Sequence, residues 1–341
     1  MPPSPPGSLD RKEFLRVMAG AAAGMACAPR IFARQEPVAE VVQETTPKLG
    51  EPLPKRRLGK DGPEITILGM GGHHMAMAPD EKAARELVEA ALTEGVRFFD
   101  NAESYEDGKA ERWMGAALKP VRQEVFLMTK TYAPDERSAE SAKRHLAGSL
   151  KRLQTDYLDL WQYHSVQTPE DVDRGFREGG AMEFLLEMKR QGVVKLAGVT
   201  GHARPAANLR ALKWWDEGWK FDAMQLPVNP VDFHQSSFQK EVLPELVKRG
   251  IGVLAMKTSA YGRLPADGLC SVDECQRFVW SLPVSAAIVG MRTVEEVREN
   301  ARRARAVAAA APPMPAEEAD ALLARLRPKA ALELEWYKAK A

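Results

Sequence analysis

Val96 to Lys119 reads VRFFDNAESYEDGKAERWMGAALK and holds one complete strand–loop–helix unit. VRFFD is a short, mostly apolar run that ends on an acid, Asp100. A loop carrying Tyr105 follows, and Gly108 to Leu118 then has the spacing of an amphipathic helix. The strand is apolar at consecutive positions rather than at alternate ones. That is the pattern of a parallel sheet covered by helices.

The unit repeats in both directions along the chain. ITILGMGG precedes a helix expected over Pro79 to Glu94, VFLMTK one over Ser138 to Leu153, and YLDLWQYH one over Met182 to Gln191. KLAGVTGH leads to a helix over Pro205 to Glu217 and DAMQLPVN to one over Phe238 to Arg249, while IGVLAMKTS and SAAIVGM each carry a helix of their own. RRLGKDGPEIT, before the first unit, reads as a small hairpin turning at Asp61-Gly62. Eight units within about 250 residues make a (β/α)8 TIM barrel. A doubly wound sheet would carry a Gly-rich phosphate turn after its first strand, and GMGGHHM is not that turn. The expectation is therefore an α/β protein whose single domain spans residues 55–341. Its barrel runs from about Lys55 to about Ala306, and a C-terminal helical extension follows.

Residues 1–34 stand apart from this pattern. Arg11, Lys12 and Arg16 form a basic start, and a mild Ala/Gly-rich stretch runs from Val17 to Ala28. The stretch is too short and too weakly apolar for a stable membrane span. Arg11-Lys12 ahead of Phe14-Leu15-Arg16 resembles a twin-arginine export signal with Lys at the second position. The expectation is a periplasmic or otherwise exported protein that engages the twin-arginine machinery, or a cytoplasmic one if the signal does not function. Residues 35–54, rich in Pro, Glu and Thr, read as a disordered linker.

With 341 residues, 45% of them hydrophobic, the chain can bury a sizeable core. Its 48 Lys and Arg balance 47 Asp and Glu, so no nucleic-acid partner is indicated. Cys27 lies in the leading segment, and Cys270 and Cys275 form a lone C-x4-C without further ligands. Neither a disulfide framework nor a metal site follows from them.

Barrel chemistry gathers at the C-terminal ends of the strands. Asp100, Lys130, His164, His202, Asn229, Lys257 and Arg292 all fall at or just past those ends. A buried Lys beside a Tyr is expected to lower the phenol's pKa, a carboxylate to keep the Lys charged, and an imidazole to orient a carbonyl. Asp100, Tyr105, Lys130 and His164 supply those four groups, and together they protonate a developing alkoxide.

VRFFDNAESYEDGKAERWMGAALK, VFLMTK and DLWQYH resemble the aldo-keto reductases, with GVTGH and MQLPVNP similar to a bacterial branch of them. The resemblance implies a barrel that binds NADPH, or NADH, and interconverts a small carbonyl compound and its alcohol. It makes Asp100, Tyr105, Lys130 and His164 the catalytic set. It also places Thr200 and Gln225 at the nicotinamide, Lys257 at the pyrophosphate, Arg292 and Thr293 near a 2′-phosphate, and Glu299 and Asn300 at adenine. Three positions depart from the family pattern. Glu296 stands where a base is common, Gly201 where an Asn would hold the carboxamide, and Met256 where an aromatic would stack. Tyr132 is the expected aromatic of the substrate wall, and a monomer or small homo-oligomer is the expected assembly.

Two rival readings fit parts of this pattern. A metal-dependent barrel hydrolase could use His73, His74, His164, His202 and His234. Adjacent residues on a strand point oppositely, however, and Arg292 stands where such barrels need an acid. A non-enzymatic, redox-sensing barrel would keep the cofactor, but it has no need of Tyr105.

Overall fold

The computed structural model describes residues 46–131, 136–310, 312–330 and 333–338. The export-like segment, Cys27 and Tyr132 lie outside them.

β1 (Lys55–Arg57) and β2 (Glu64–Thr66) pair antiparallel with Lys55 opposite Thr66, which is the expected hairpin. Eight further strands follow: β3 (Leu68–Gly71), β4 (Phe98–Asp100), β5 (Phe126–Lys130), β6 (Leu158–Val166), β7 (Val194–Gly201), β8 (Ala223–Pro227), β9 (Gly252–Met256) and β10 (Ala286–Gly290). They close in parallel in the order β10-β3-β4-β5-β6-β7-β8-β9, so the sheet has no free edge. All eight expected strands are present, and the expected TIM barrel is the fold.

Side chains from alternate strand positions fill the interior. Phe98, Met128, Leu160, Ala223, Leu254, Ala286 and Ile288 form an inner cluster, and the hairpin adds Leu58 and Ile65 to it. Phe98, Ala223 and Ala286 each open their strand. The hairpin therefore stoppers the N-terminal end of the barrel.

A second apolar cluster separates the barrel from its helices. The helix Glu81–Thr93 shows the logic. Asp80 caps it by accepting from the Ala83 amide at 2.8 Å, and Ala84, Leu87, Val88, Ala91 and Leu92 form its buried stripe. The helix expected over Phe238 to Arg249 is instead two pieces, Phe238–Glu241 and Leu243–Arg249. Pro244 explains the break, because it has no amide to return to the carbonyl four residues back.

The expected linker ends earlier than its composition suggested. Residues 46–54 lie against the base of the barrel rather than forming a disordered tether. The Gly50 amide donates to the Leu92 carbonyl at 3.1 Å, that of Leu53 to Gly95 at 2.9 Å, and that of Ile67 to Pro54 at 2.9 Å. Leu53 is buried. Leu49 and Leu53 pack on the core, and main-chain bonds together with those from the Thr93 and Arg97 side chains hold the rest, so no hydrophobic period was needed to order it.

After the last barrel helix, Val294–Ala309, the chain forms the helix Ala316–Leu326 and returns across the top of the barrel at residues 333–338. Lys338 Nζ there meets Asp232 Oδ1 and Glu335 Oε2, both at 2.7 Å, with all three side chains buried. Tyr337 donates to Glu335 Oε1 at 2.7 Å, as does Asn229 Nδ2 at 3.1 Å. Among the described residues no helix is long and apolar enough to cross a membrane.

Candidate active site

β4 ends on Asp100 and β5 ends on Lys130, so parallel pairing sets both side chains at the same mouth of the barrel. Lys130 is 1% exposed. Its ammonium donates to Asp100 Oδ1 at 2.5 Å, to the Asn101 carbonyl at 2.6 Å and to Tyr105 Oη at 3.2 Å. All three ammonium protons thus have partners. Burial disfavours that charge, but Asp100 and Tyr105 outweigh it and hold the lysine pKa up.

Tyr105 departs from expectation. Its pKa is raised, not lowered, because burial of the ring outweighs the pull of Lys130 and Asp100 adds to the burial. The phenol is therefore protonated at neutral pH, as a proton donor must be.

The His164 ring stands edge-on to Tyr105, with centroids 6.4 Å apart. Burial, then Lys130, His202 and Arg137, push its pKa well down, so the imidazole is neutral. Its Nδ1 lies 3.2 Å from the Thr131 carbonyl. A carbonyl only accepts, so this bond puts the ring proton on Nδ1 and leaves Nε2 a lone pair.

A cleft of about 830 Å³ runs from Asp100 and Tyr105 past Gln225, Met256 and Lys257 to Arg292, Glu299 and Asn300. Seven sequence-derived site residues therefore line one cavity. Gln225 is fixed by a bond from Gln162 Nε2 to its Oε1 at 2.8 Å. Lys257 has no carboxylate within ion-pair distance among the described residues. Burial and then Lys130 push its pKa down to about 8. Its Nζ stands 5.0 Å from the centroid of the Tyr337 ring.

Thr200 and Thr293 do not line this cleft, and Glu299 and Asn300 line it while engaged by neighbours. Thr200 is buried and accepts from the Ser165 amide at 2.8 Å. Thr293 caps its helix, accepting from the Glu296 amide at 3.1 Å. Glu299 is engaged by Arg303 at 2.9 Å, and Asn300 Oδ1 by Gln276 at 2.5 Å. The Glu296 carboxylate takes the Arg292 amide at 2.6 Å, placing an internal anion at the start of that helix. A Cβ on Gly201 would come 2.2 Å from Asn208 Oδ1, so the helix behind β7 leaves no room for a side chain there.

His73 and His74 do not point oppositely as on a strand. Gly72–Met75 is a helical turn, and both rings line the cleft with centroids 5.2 Å apart. Burial first, then His73, pushes His74 down to about 4. His74 fits only because residue 290 is glycine, where a Cβ would lie 2.0 Å from its ring. His73 Nε2 meets Tyr261 Oη across the cleft at 3.1 Å, and Tyr261 stacks edge-to-face on Trp336. No alternation or strand end marks Tyr261 or Trp336. Only their aromatic character in loops could have suggested them.

Residues 67–269 match the model of the aldo/keto reductase family, and the chain belongs to that family. It is 28% identical over 298 residues to the uncharacterized oxidoreductase YrpG of Bacillus subtilis, covering 71% of this chain and 88% of that protein. It is 38% identical over 231 residues to the methylglyoxal reductase YeaE of Escherichia coli, covering 66% and 75%. An aldo-keto reductase from Klebsiella pneumoniae, solved in complex with NADPH, superposes with a TM-score of 0.65 at 22% identity over 81% of this chain and 95% of that one.

Proposed function

We propose that this carbonyl oxidoreductase reduces an aldehyde or ketone to its alcohol, or runs the reverse, with Tyr105 as the acid or base. The observation that carries the reading is Lys130, whose single ammonium touches Asp100 Oδ1 and Tyr105 Oη. A protonated phenol gives its proton to the substrate oxygen as charge develops there. The Lys130 ammonium then stabilises the phenolate, and Asp100 keeps the ammonium charged and aimed. Neutral His164, whose Nε2 can only accept, takes a hydrogen bond from the hydroxyl of the alcohol and so positions it beside the phenol.

The cleft suits an anionic dinucleotide, because Lys257 and Arg292 line it together with Asp100 and Tyr105. Gln225 would hold the nicotinamide end and Lys257 the pyrophosphate, with Arg292 and Asn300 at the adenosine end. NADP(H) is the reading we favour, with the Arg292 guanidinium for the 2′-phosphate. When bound, the reduced nicotinamide would supply the hydride. NADPH in the Klebsiella pneumoniae structure supports this choice.

Tyr105→Phe should lower kcat by about 100- to 10,000-fold while leaving dinucleotide affinity unchanged. Near-normal turnover in that variant would remove Tyr105 from the role. The basic, mildly apolar segment 1–34 supports export of the folded protein with cofactor aboard. Fractionation that finds the full-length protein only in the cytoplasm would exclude that route.

A further inference from the structure

Cys270 and Cys275 lie side by side at the edge of the cleft wall. Cys270 ends the loop that leaves β9, and Cys275 lies in the first turns of the helix Val272–Ser281. Both thiols are free, 4% and 0% exposed, and Cys275 Sγ donates to Cys270 Sγ at 3.2 Å. The turn between them is rigid. Ser271 Oγ accepts from the Glu274 amide at 3.1 Å, and the Glu274 carboxylate takes the Ser271 amide at 2.9 Å. A disulfide needs the two sulfurs at about 2.05 Å, which small side-chain rotations can supply from this starting contact.

The loop that Cys270 ends is unusual. Lys257, Ala260 and Tyr261 hold φ of 53°, 50° and 61°, in the left-handed region where non-glycine residues are strained. Thr258, Ser259, Tyr261 and Pro265 form one wall of the cleft, and Tyr261 reaches across to His73. A strained loop depends on its attachments, and at its far end the 270–275 contact joins the Leu269 and Cys270 amides, which donate to the Leu264 carbonyl.

We propose that Cys270 and Cys275 are a reversible dithiol–disulfide pair that fastens this loop against the helix Val272–Ser281. The oxidant is a small-molecule or protein disulfide. Cys270 borders exposed Ser271 and meets the oxidant first. Its sulfur, having lost its proton, attacks one sulfur of the disulfide and releases a thiolate. Cys275 then loses its proton and attacks Cys270 Sγ, expelling the second thiolate. Two protein thiols are oxidised by two electrons, the external disulfide is reduced, and the two protons end on the two released thiols. The hydrogen bond to Cys270 and then burial raise the Cys275 pKa, so the second step waits on local opening of the loop. In an exported protein the compartment would favour the bonded form.

The test uses the full chain and needs neither cofactor nor turnover, so it stands or falls apart from the proposed reaction. Protein reduced with dithiothreitol is compared with protein treated with glutathione disulfide. Non-reducing peptide mapping should find Cys270 joined to Cys275, with the loss of two hydrogens. Amide hydrogen exchange across residues 258–269 should slow several-fold in the oxidised protein and recover on reduction. The oxidant should not change exchange in that loop in Cys270→Ser or Cys275→Ser. A glutathione adduct without the internal bond overturns the proposal, and so does a 270–275 bond with loop exchange unchanged.

Discussion

Lys257 lines the cleft half-buried, without a carboxylate partner among the described residues, and its pKa of about 8 has two consequences. In the unfolded chain this lysine titrates near 10.5, so between about pH 8 and that value the unfolded state binds more protons. The group's contribution to stability therefore rises with pH across this window and is least favourable below it. A bound anion needs the charged form, so dinucleotide affinity should be steady below pH 8 and fall above it. Lys257→Met should bind more weakly and lose that pH dependence. Fluorescence titration from pH 7 to 10 checks both, and identical profiles for the two proteins would remove Lys257 from the site. Arg292→Ala should weaken NADPH more than NADH, and Glu296→Lys should shift preference further toward NADPH by freeing the Arg292 amide. Equal weakening of both cofactors by Arg292→Ala would take Arg292 away from the phosphate. The candidate tetrad was legible because acid, amine and imidazole at strand ends are rare unless used together. The raised pKa of Tyr105 was not legible, because it depends on how deeply the ring is enclosed. Nor was the shared orientation of His73 and His74, which exists because the chain turns helical immediately after Gly71.

Strands and long helices could be read from pattern, since each buries a periodic apolar face. The elements that could not be read are those held by something else. Residues 46–54 are ordered by main-chain bonds, and residues 333–338 by a buried ion cluster, and neither leaves a hydrophobic period. The tail's cluster makes a sharp stability prediction. Lys338→Met leaves Asp232 and Glu335 facing each other without their cation and should cost about 3–5 kcal/mol. Thermal unfolding measures it, with exposed Lys329→Ala as a control expected to change little. Because Trp336 and Tyr337 ride on this tail beside Tyr261 and His202, losing the anchor should also alter the KM for a carbonyl substrate. An unfolding midpoint equal to the wild type would show that the cluster contributes little.

At the scale of the whole barrel, packing and chemistry occupy opposite ends. The inner core is sealed from below by the β1–β2 hairpin through Leu58 and Ile65, while the tetrad and the cleft open at the other end. Leu58→Ala should therefore destabilise the protein by about 2–5 kcal/mol yet leave KM and kcat unchanged at temperatures where it stays folded. A changed KM in that variant would mean that the two ends are mechanically linked. The placement of residues 46–54 carries this separation further. They are fastened to the carbonyls of Leu92 and Gly95, where the helix Glu81–Thr93 runs down to the foot of the barrel. The described chain therefore begins at the foot of the barrel, and the cleft opens on the opposite face, so residues 46–54 leave the mouth uncovered.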